Sequence, residues 1–182
     1  MKKINHLFQF IIIKFIFLIF EVIGYRASSN LGYIIGKFSG PLFRSKSSII
    51  KNLKKANLNN NLNLNQIADN ILGNYGRIFA EYVHLKNFRN NHLNKYISID
   101  GYEYLEEIKK SKKKIVFVSG HFNNFELMAM QIEKSGIDLA TIYRPLNNPY
   151  LNKTMEEIRI KYICKKQIKK GRAGTREIIK NL

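Results

Sequence analysis

The N-terminal segment restricts most strongly what this chain can fold into. Residues 7–20, LFQFIIIKFIFLIF, are almost all large apolar side chains, and the basic segment MKKINH precedes them. Lys14 interrupts the apolar run and Glu21 follows it, so its uninterrupted length is shorter than the roughly 20 residues that a membrane-spanning helix needs. A cleavable signal peptide has the same outline, but Ala27-Ser28-Ser29 is the best available cleavage site and it is a poor match.

Three placements of this segment are therefore open. A helix from Leu7 to about Tyr25 could cross a membrane if the Lys14 ammonium faces protein or reaches the interface. The same helix could lie in the plane of the interface, or it could be the buried core helix of a globular protein. Because the segment has almost no polar face, we favour the membrane and assign residues 1–25 as a membrane anchor helix.

Composition narrows the class of partner. Lys and Arg number 31 against 13 Asp and Glu, which gives a net charge of +18. This surplus is compatible with nucleic acid, a phospholipid surface, a phosphorylated substrate or an acidic protein. Nucleic acid is disfavoured because the chain has no helix-turn-helix, zinc pattern or aromatic-rich basic strand motif. Cys164 is the only cysteine, so no disulfide can form within the chain.

The first half of the chain predicts helices. Gly32, Gly36, Gly40 and Pro41 punctuate residues 26–44, which indicates a short helix and a turn. The strongest amphipathic helix is expected at 66–86, where Ile67, Ile71, Tyr75, Phe79 and Tyr82 form an apolar stripe reinforced by Leu72, Ile78 and Val83. The other elements predicted here are a helix at 45–58, a polar linker at 57–65, a strand at 96–99 and a helix at 101–110.

The second half alternates between strands and helices. IVFV at 115–118 is continuously apolar, as a parallel strand covered on both faces would be. Helices are expected at 125–134, from Asn148-Pro149 to about Tyr162 and at 175–182; strands are expected at 138–143 and from Ile163-Cys164. The predicted class is α/β, with N-terminal membrane-associated helices followed by strand–helix–strand units of a mainly parallel sheet. Two or three parallel strands make a poor sheet, so we expect this one to be incomplete at the C-terminus.

The segment GHFNNFE, residues 120–126, offers reactive chemistry at the expected edge of the sheet. Gly120 permits a sharp turn, and Glu126 falls in the first turn of the next helix, where the helix dipole favours a carboxylate. His121 in the loop and Glu126 on the helix can then face each other. Such a carboxylate fixes the imidazole tautomer and stabilises the imidazolium, which suits activation of an alcohol for attack on an ester or thioester. The alternative is a surface loop with a solvated histidine. A zinc site would need a third ligand.

The same segment resembles a known signature. GHFNNFE is similar to the H-x4-E motif of the late acyltransferases of lipid A biosynthesis (lauroyl and myristoyl transferases), within the wider lysophospholipid acyltransferase class, where H-x4-D is commoner. YRPLNNPYLN at 143–152 resembles the next block of that family, which places Arg144 and Arg159 on its arginines. IIKNL at 49–53 and NYGRIFAE at 74–81 extend the resemblance over essentially the whole chain. Residues 26–182 would then be the N-terminal part of an acyltransferase domain whose later strands are missing.

The resemblance implies a reaction and a place for it. An acyl chain would move from the thioester of acyl carrier protein to a hydroxyl of a lipid A precursor, at the cytoplasmic face of a bacterial inner membrane. In this scheme His121 is the base, Glu126 its partner, Arg159 a phosphate or oxyanion binder, and Arg144 assists. No metal and no cofactor are implied.

Several alternatives are open at this point. The acceptor could be another glycolipid or a lysophospholipid, or the chain could be a truncated, non-catalytic membrane homologue. Arg159 could instead form a surface pair with Glu156, three residues earlier on the same predicted helix, and Arg144 could be a strand-end contact.

Overall fold

The computed structural model describes residues 2–56 and 63–181, with nothing described for the side chain of Asn181. Most of the predicted linker 57–65 lies outside the described residues. The chain divides into two compact units, which are Met1–Lys14 with Leu85–Leu182 (the C-terminal unit) and Phe15–His84 (the helical unit). The helices are α1 Lys2–Ile23, α2 Tyr25–Phe43, α3 Lys46–Lys55, α4 Leu64–Glu81, α5 Leu85–Arg89, α6 Tyr102–Ser111, α7 Phe125–Lys134, α8 Pro149–Tyr162 and α9 Arg172–Asn181; the strands are β1 Ala140–Tyr143 and β2 Lys166–Lys169, and short 3₁₀ turns cover Tyr82–His84 and Asn94–Tyr96.

Helix α1 contains the apolar N-terminal segment. Of the residues that the structure describes, this is the one helix long and apolar enough to cross a membrane, with a mean hydropathy of 2.1. Only 11% of its most apolar window is buried, and its buried residues are Phe17 and Phe20. This low burial argues against a core helix, because a core helix covers most of its surface with protein.

Helices α2 and α4 of the helical unit pack through glycine. A Cβ atom added to Gly36 of α2 would lie 2.6 Å from the carbonyl oxygen of Leu72, and one added to Gly32 would lie 2.6 Å from the Cβ of Ala80. The prediction of a short helix and turn over 26–44 is therefore wrong, since α2 is continuous through Pro41. The glycines provide the surface that lets the two helix backbones approach closely.

The apolar stripe predicted for α4 is only partly confirmed. Leu72 and Ile78 are buried, but Tyr75 is 44% exposed. The small residue Ala68 takes part in the core instead, where it joins Leu72 and Ile49 of α3. The prediction placed the buried face of α4 by the spacing of its large apolar residues. It was partly wrong because small residues form the interface of α4 with α2.

The C-terminal unit contains the strand–helix–strand arrangement. Strands β1 and β2 pair in parallel, with Tyr143 opposite Lys169, and α8 connects them. This confirms the predicted strand at 138–143, the helix after Asn148-Pro149 and a strand close after Cys164. Side chains that are almost fully buried in this unit are Leu85, Phe88, Met130, Ile163, Cys164 and Ile168.

Two predicted strands are absent from the described chain. Residues 115–118 form no strand, and Val116 and Val118 are 69% and 92% exposed. Residues 96–99 also form none, because Tyr96 ends a 3₁₀ turn. An apolar run indicates burial but specifies no partner strand, and β1 pairs only with β2. The described fold is therefore mainly helical with a small parallel sheet, and the α/β class holds for the strand–helix–strand unit.

Candidate functional site

Glu126 lies at the start of α7. The helix begins at Phe125, with Asn124 at the capping position, so Glu126 occupies the first turn as predicted. Unpaired backbone N–H groups and the helix dipole favour negative charge there. The residue is 6% exposed, so its carboxylate needs partners to replace water.

Arg159 of α8 supplies that partner. Its Nε and Nη2 atoms both donate hydrogen bonds to Oε1 of Glu126, at 2.9 and 2.7 Å. The two side chains are 18% and 8% exposed. Charge-assisted hydrogen bonds of this kind are short and strong, and this pair joins α7 to α8 through two residues that are 33 positions apart in the chain. The structure therefore brings together two of the four predicted site residues.

The start of α8 is fixed by a side-chain cap. Asn148 Oδ1 accepts hydrogen bonds from the backbone N–H groups of Tyr150 and Leu151, at 3.1 and 3.3 Å. Its Nδ2 atom donates to the carbonyl oxygen of His6 at 2.8 Å and to Oε1 of Gln9 at 3.2 Å. The same side chain thus begins the helix of Arg159 and binds the first turns of α1.

Tyr143, at the end of β1, lies on another side of Arg159. The guanidinium carbon is 5.7 Å from the centre of the tyrosine ring, within the range of a cation–π contact. Tyr143 is 7% exposed, and its hydroxyl oxygen is buried. Burial, and then the nearby Glu156 carboxylate, raises the pKa of this hydroxyl.

Glu156 does not form the predicted surface pair with Arg159. Its carboxylate lies 3.4 Å from Nζ of Lys169 and accepts a hydrogen bond from Asn152 at 3.4 Å. Tyr143 and Glu156 together raise the pKa of Lys169. Arg159 therefore has Glu126 as its ion-pair partner, and the alternative of a surface pair with Glu156 is wrong.

His121 is exposed and stands apart from the ion pair. Its ring packs on Phe125, with ring centroids 4.4 Å apart and an interplanar angle of 54°. It forms no hydrogen bond with Glu126 or any other residue that the structure describes. The tight turn after it is made by Asn123, with φ 47°, rather than by Gly120. Arg144 follows Tyr143 and is also exposed, so His121 and Arg144 are both accessible to a substrate.

A second buried polar cluster, in the helical unit, was missed by sequence reasoning. The Oγ atom of Ser28 is 2.9 Å from Nε2 of His84, and Ser29 donates to Glu81 at 2.7 Å. Arg77 donates to Ser29 at 3.2 Å. Burial lowers the pKa of His84. The charged pair four residues apart on α4, Arg77 and Glu81, is the signal that could have indicated it.

Sequence reasoning also assigned no role to Tyr143, although the quoted YRP block contains it. Across residues 2–56 and 63–181, no group of three or more His, Cys, Asp or Glu side chains could hold a metal ion.

Comparison with known proteins identifies a family. A family model described as bacterial lipid A biosynthesis acyltransferase matches residues 2–182. No curated protein and no solved structure matches the chain.

Proposed function

Because the chain belongs to the bacterial lipid A biosynthesis acyltransferase family, we propose that it transfers a fatty acyl chain from the thioester of acyl carrier protein to a hydroxyl of a lipid A precursor. The family makes the chain an acyltransferase of lipid A biosynthesis. The observation that best supports the proposed mechanism is the buried ion pair between Glu126 and Arg159, which holds a carboxylate in the first turn of α7, the helix that follows the loop of His121.

In this proposal His121 acts as the general base. One imidazole nitrogen accepts the proton of the acceptor hydroxyl while the hydroxyl oxygen attacks the thioester carbonyl carbon. The tetrahedral intermediate then collapses, the carbon–sulfur bond breaks, and the departing thiolate takes the proton from the imidazolium. Catalytic hydrogen bonds often tighten only when substrate is bound, so an exposed His121 that packs on Phe125 in the free protein is compatible with this role.

The other site residues supply charge. The Glu126 carboxylate, held by Arg159, stabilises the imidazolium that forms on His121. Arg159 and Arg144 face developing or permanent negative charge, which is the oxyanion of the intermediate or a phosphate of the acceptor. A thiolate is a good leaving group, so the reaction proceeds without a metal or a cofactor.

The reaction has a defined place in this proposal. The family and the apolar helix α1 both point to membrane association. We place the protein in the bacterial inner membrane with its active site on the cytoplasmic side, where acyl carrier protein supplies the acyl group. Residues 1–25 act as the anchor and residues 26–182 belong to the acyltransferase domain.

The test is an acyl-transfer assay on membranes that contain the protein, with labelled acyl carrier protein thioester and a lipid A precursor. We expect His121→Ala to lower turnover by about 10² to 10⁴, the usual contribution of a general base. Glu126→Gln should damage the same step. The double variant should be scarcely worse than His121→Ala, because both residues serve one proton transfer. His92→Ala is the matched control, since His92 is exposed and lies outside the site.

The outcomes separate the alternatives. Near-normal turnover by His121→Ala would refute the histidine mechanism. Transfer to another glycolipid or a lysophospholipid, but not to the lipid A precursor, would change the acceptor. An absence of transfer to every acceptor would indicate a non-catalytic homologue.

A further inference from the structure

We propose that the outward face of α2 is a membrane-contact surface, which lies in the headgroup region of a bilayer that contains anionic phospholipid. Five large apolar side chains form this surface, which we call the α2 apolar face: Leu31, Ile34, Ile35, Phe38 and Leu42. The inference rests on the membrane location in the proposed function and is independent of the acyl-transfer chemistry.

Helix α2 buries its small residues and exposes its large apolar ones. Its buried residues are Ser28, Ser29, Gly32 and Gly36, whereas the side chains of the α2 apolar face are 37–84% exposed. A surface helix of a soluble protein has the opposite arrangement, with its large apolar side chains in the core. The members of the α2 apolar face recur at intervals of three or four residues, which places them on one side of the helix. Such a contiguous apolar surface indicates an interaction site.

The packing of α2 on α4 is of the kind that membrane helices use. Gly32, Gly36 and Gly40 recur every four residues and face α4. A Cβ atom added to Gly32 would lie 2.6 Å from the carbonyl oxygen of Gly76 and 2.6 Å from the Cβ of Ala80. Helices in lipid associate through such small residues, because their large apolar side chains gain little by leaving the lipid. Small residues at the helix contact and large ones on the outer face therefore favour lipid as the occupant.

The connection between α1 and α2 also places α2 at a bilayer surface. Helix α1 ends at Ile23 and α2 begins at Tyr25, so Gly24 alone separates them. When α1 crosses a bilayer, α2 begins where the chain leaves it. Of the residues that the structure describes, only those of α1 form a helix apolar enough to cross. We therefore assign α2 to the plane of the interface, as an amphipathic interfacial helix.

Charge favours an anionic bilayer over a second copy of the chain. Residues 15–84 contain eight Lys and Arg against three Asp and Glu. Arg26 and Lys37 lie about three turns apart along one flank of α2, and Arg44 follows its C-terminal end. Two surfaces of this charge would repel each other, whereas an anionic leaflet attracts basic residues beside a membrane helix.

The test measures the depth of a nitroxide label by electron paramagnetic resonance. The label is attached to Phe38→Cys in the complete protein, reconstituted into vesicles of phosphatidylcholine with phosphatidylglycerol. Cys164 is buried and should take up no label, which the unsubstituted protein checks. Oxygen concentrates in lipid and a nickel chelate stays in water, so their collision rates with the label report its depth. We expect the label about 5–10 Å inside the boundary between headgroups and acyl chains.

Two other label positions serve as matched controls. Asn30→Cys places the label on the same helix, at an exposed position outside the α2 apolar face, and it should remain open to the nickel chelate. Leu18→Cys places the label on α1, where the side chain is 56% exposed, and it should lie in lipid if α1 is the anchor.

A second measurement tests the charge of the lipid. Addition of Lys37→Gln to the labelled Phe38→Cys protein removes one basic residue near the surface. In vesicles with phosphatidylglycerol, the ratio of immersed to water-exposed label should fall by about fivefold. In vesicles of phosphatidylcholine alone the ratio should change little. An equal change in both kinds of vesicle would overturn the assignment of an anionic partner.

The results separate this inference from the proposed function. A label at Leu18 that stays in water refutes the anchor of the proposed function, and the inference fails with it. A label at Leu18 in lipid, together with one at Phe38 that is open to the nickel chelate, leaves the anchor standing and overturns the α2 apolar face alone. A label at Phe38 shielded from both reagents means that protein covers the face, and spin–spin broadening would identify a second copy; either result overturns the proposal.

Discussion

Removal of the Arg159 guanidinium should destabilise the protein far more than removal of an exposed arginine. Arg159→Leu leaves the Glu126 carboxylate, 8% exposed, without its ion-pair partner. Nη2 of Arg159 lies 2.7 Å from Oε1 of Glu126. At this distance the attraction between the two charges is about 6 kcal/mol for an effective dielectric constant near 20. Part of this attraction offsets desolvation, and loss of one partner of a buried pair costs about 3–5 kcal/mol.

This loss corresponds to a readily measured shift. For a protein of this size, 1 kcal/mol changes the melting temperature by about 2–4 °C, so Arg159→Leu should melt roughly 6–20 °C lower. Circular dichroism of the detergent-solubilised protein during heating measures the transition. Arg144→Leu is the control, because Arg144 is exposed and its replacement should change stability by no more than about 0.5 kcal/mol.

The double variant Glu126→Leu with Arg159→Leu provides the sharper result. It removes both charges, so it should recover much of the stability lost by either single variant. It should nevertheless remain inactive, because the proposed reaction uses both groups. If Arg159→Leu melts within 2 °C of the unsubstituted protein, or if the two losses simply add, the ion pair is not buried in the way that we describe.

Three further predictions concern the other parts of the chain. Gly36→Ala should destabilise the helical unit by about 1–3 kcal/mol in thermal unfolding, because the added Cβ would lie 2.6 Å from the carbonyl oxygen of Leu72. An unchanged melting temperature would contradict the close packing of α2 on α4. Burial lowers the pKa of His84 below 6.5, so as the pH drops through 6.5 the imidazole is protonated first in the unfolded chain and the stability of the fold should fall. The His84→Gln variant should lose less stability on acidification, and an acid-unfolding profile identical to that of the unsubstituted protein would exclude a contribution from His84. The apolar surface of α1 should keep the protein in the membrane pellet after a carbonate wash, and its recovery in the supernatant would refute the anchor.

Helices with clear end signals were predictable from the sequence. Asn148-Pro149 starts α8 as expected, because the asparagine cap and the proline at the first position act locally. Helix α2 was not predictable, since Gly32, Gly36 and Pro41 have the composition of a turn. They form a continuous helix because α4 presents small residues opposite them, and that complementarity involves residues about 40 positions away.

The candidate site was also predictable only in part. Glu126 in the first turn of α7 followed from the loop before it, and resemblance to a family identified Arg159. Arg159 pairs with Glu126 rather than with Glu156 because of the way α7 packs on α8. No local sequence pattern specifies that packing. The exposed position of His121 matches the alternative of a surface loop rather than a histidine that faces Glu126, and residues 115–118 before it lie outside any strand.

The double use of Asn148 restricts which residues can replace it. Asp, Ser and Thr can all accept the hydrogen bonds that start a helix, so they are usually exchangeable at such a position. None of them can also donate an amide N–H to His6 and Gln9 as Asn148 does. An Asn148→Asp mutation would therefore preserve the cap of α8, while it would remove the hydrogen bonds that the Asn148 amide donates to the first turns of α1. An exchange that is nearly neutral at most helix caps should therefore weaken the attachment of α1 here.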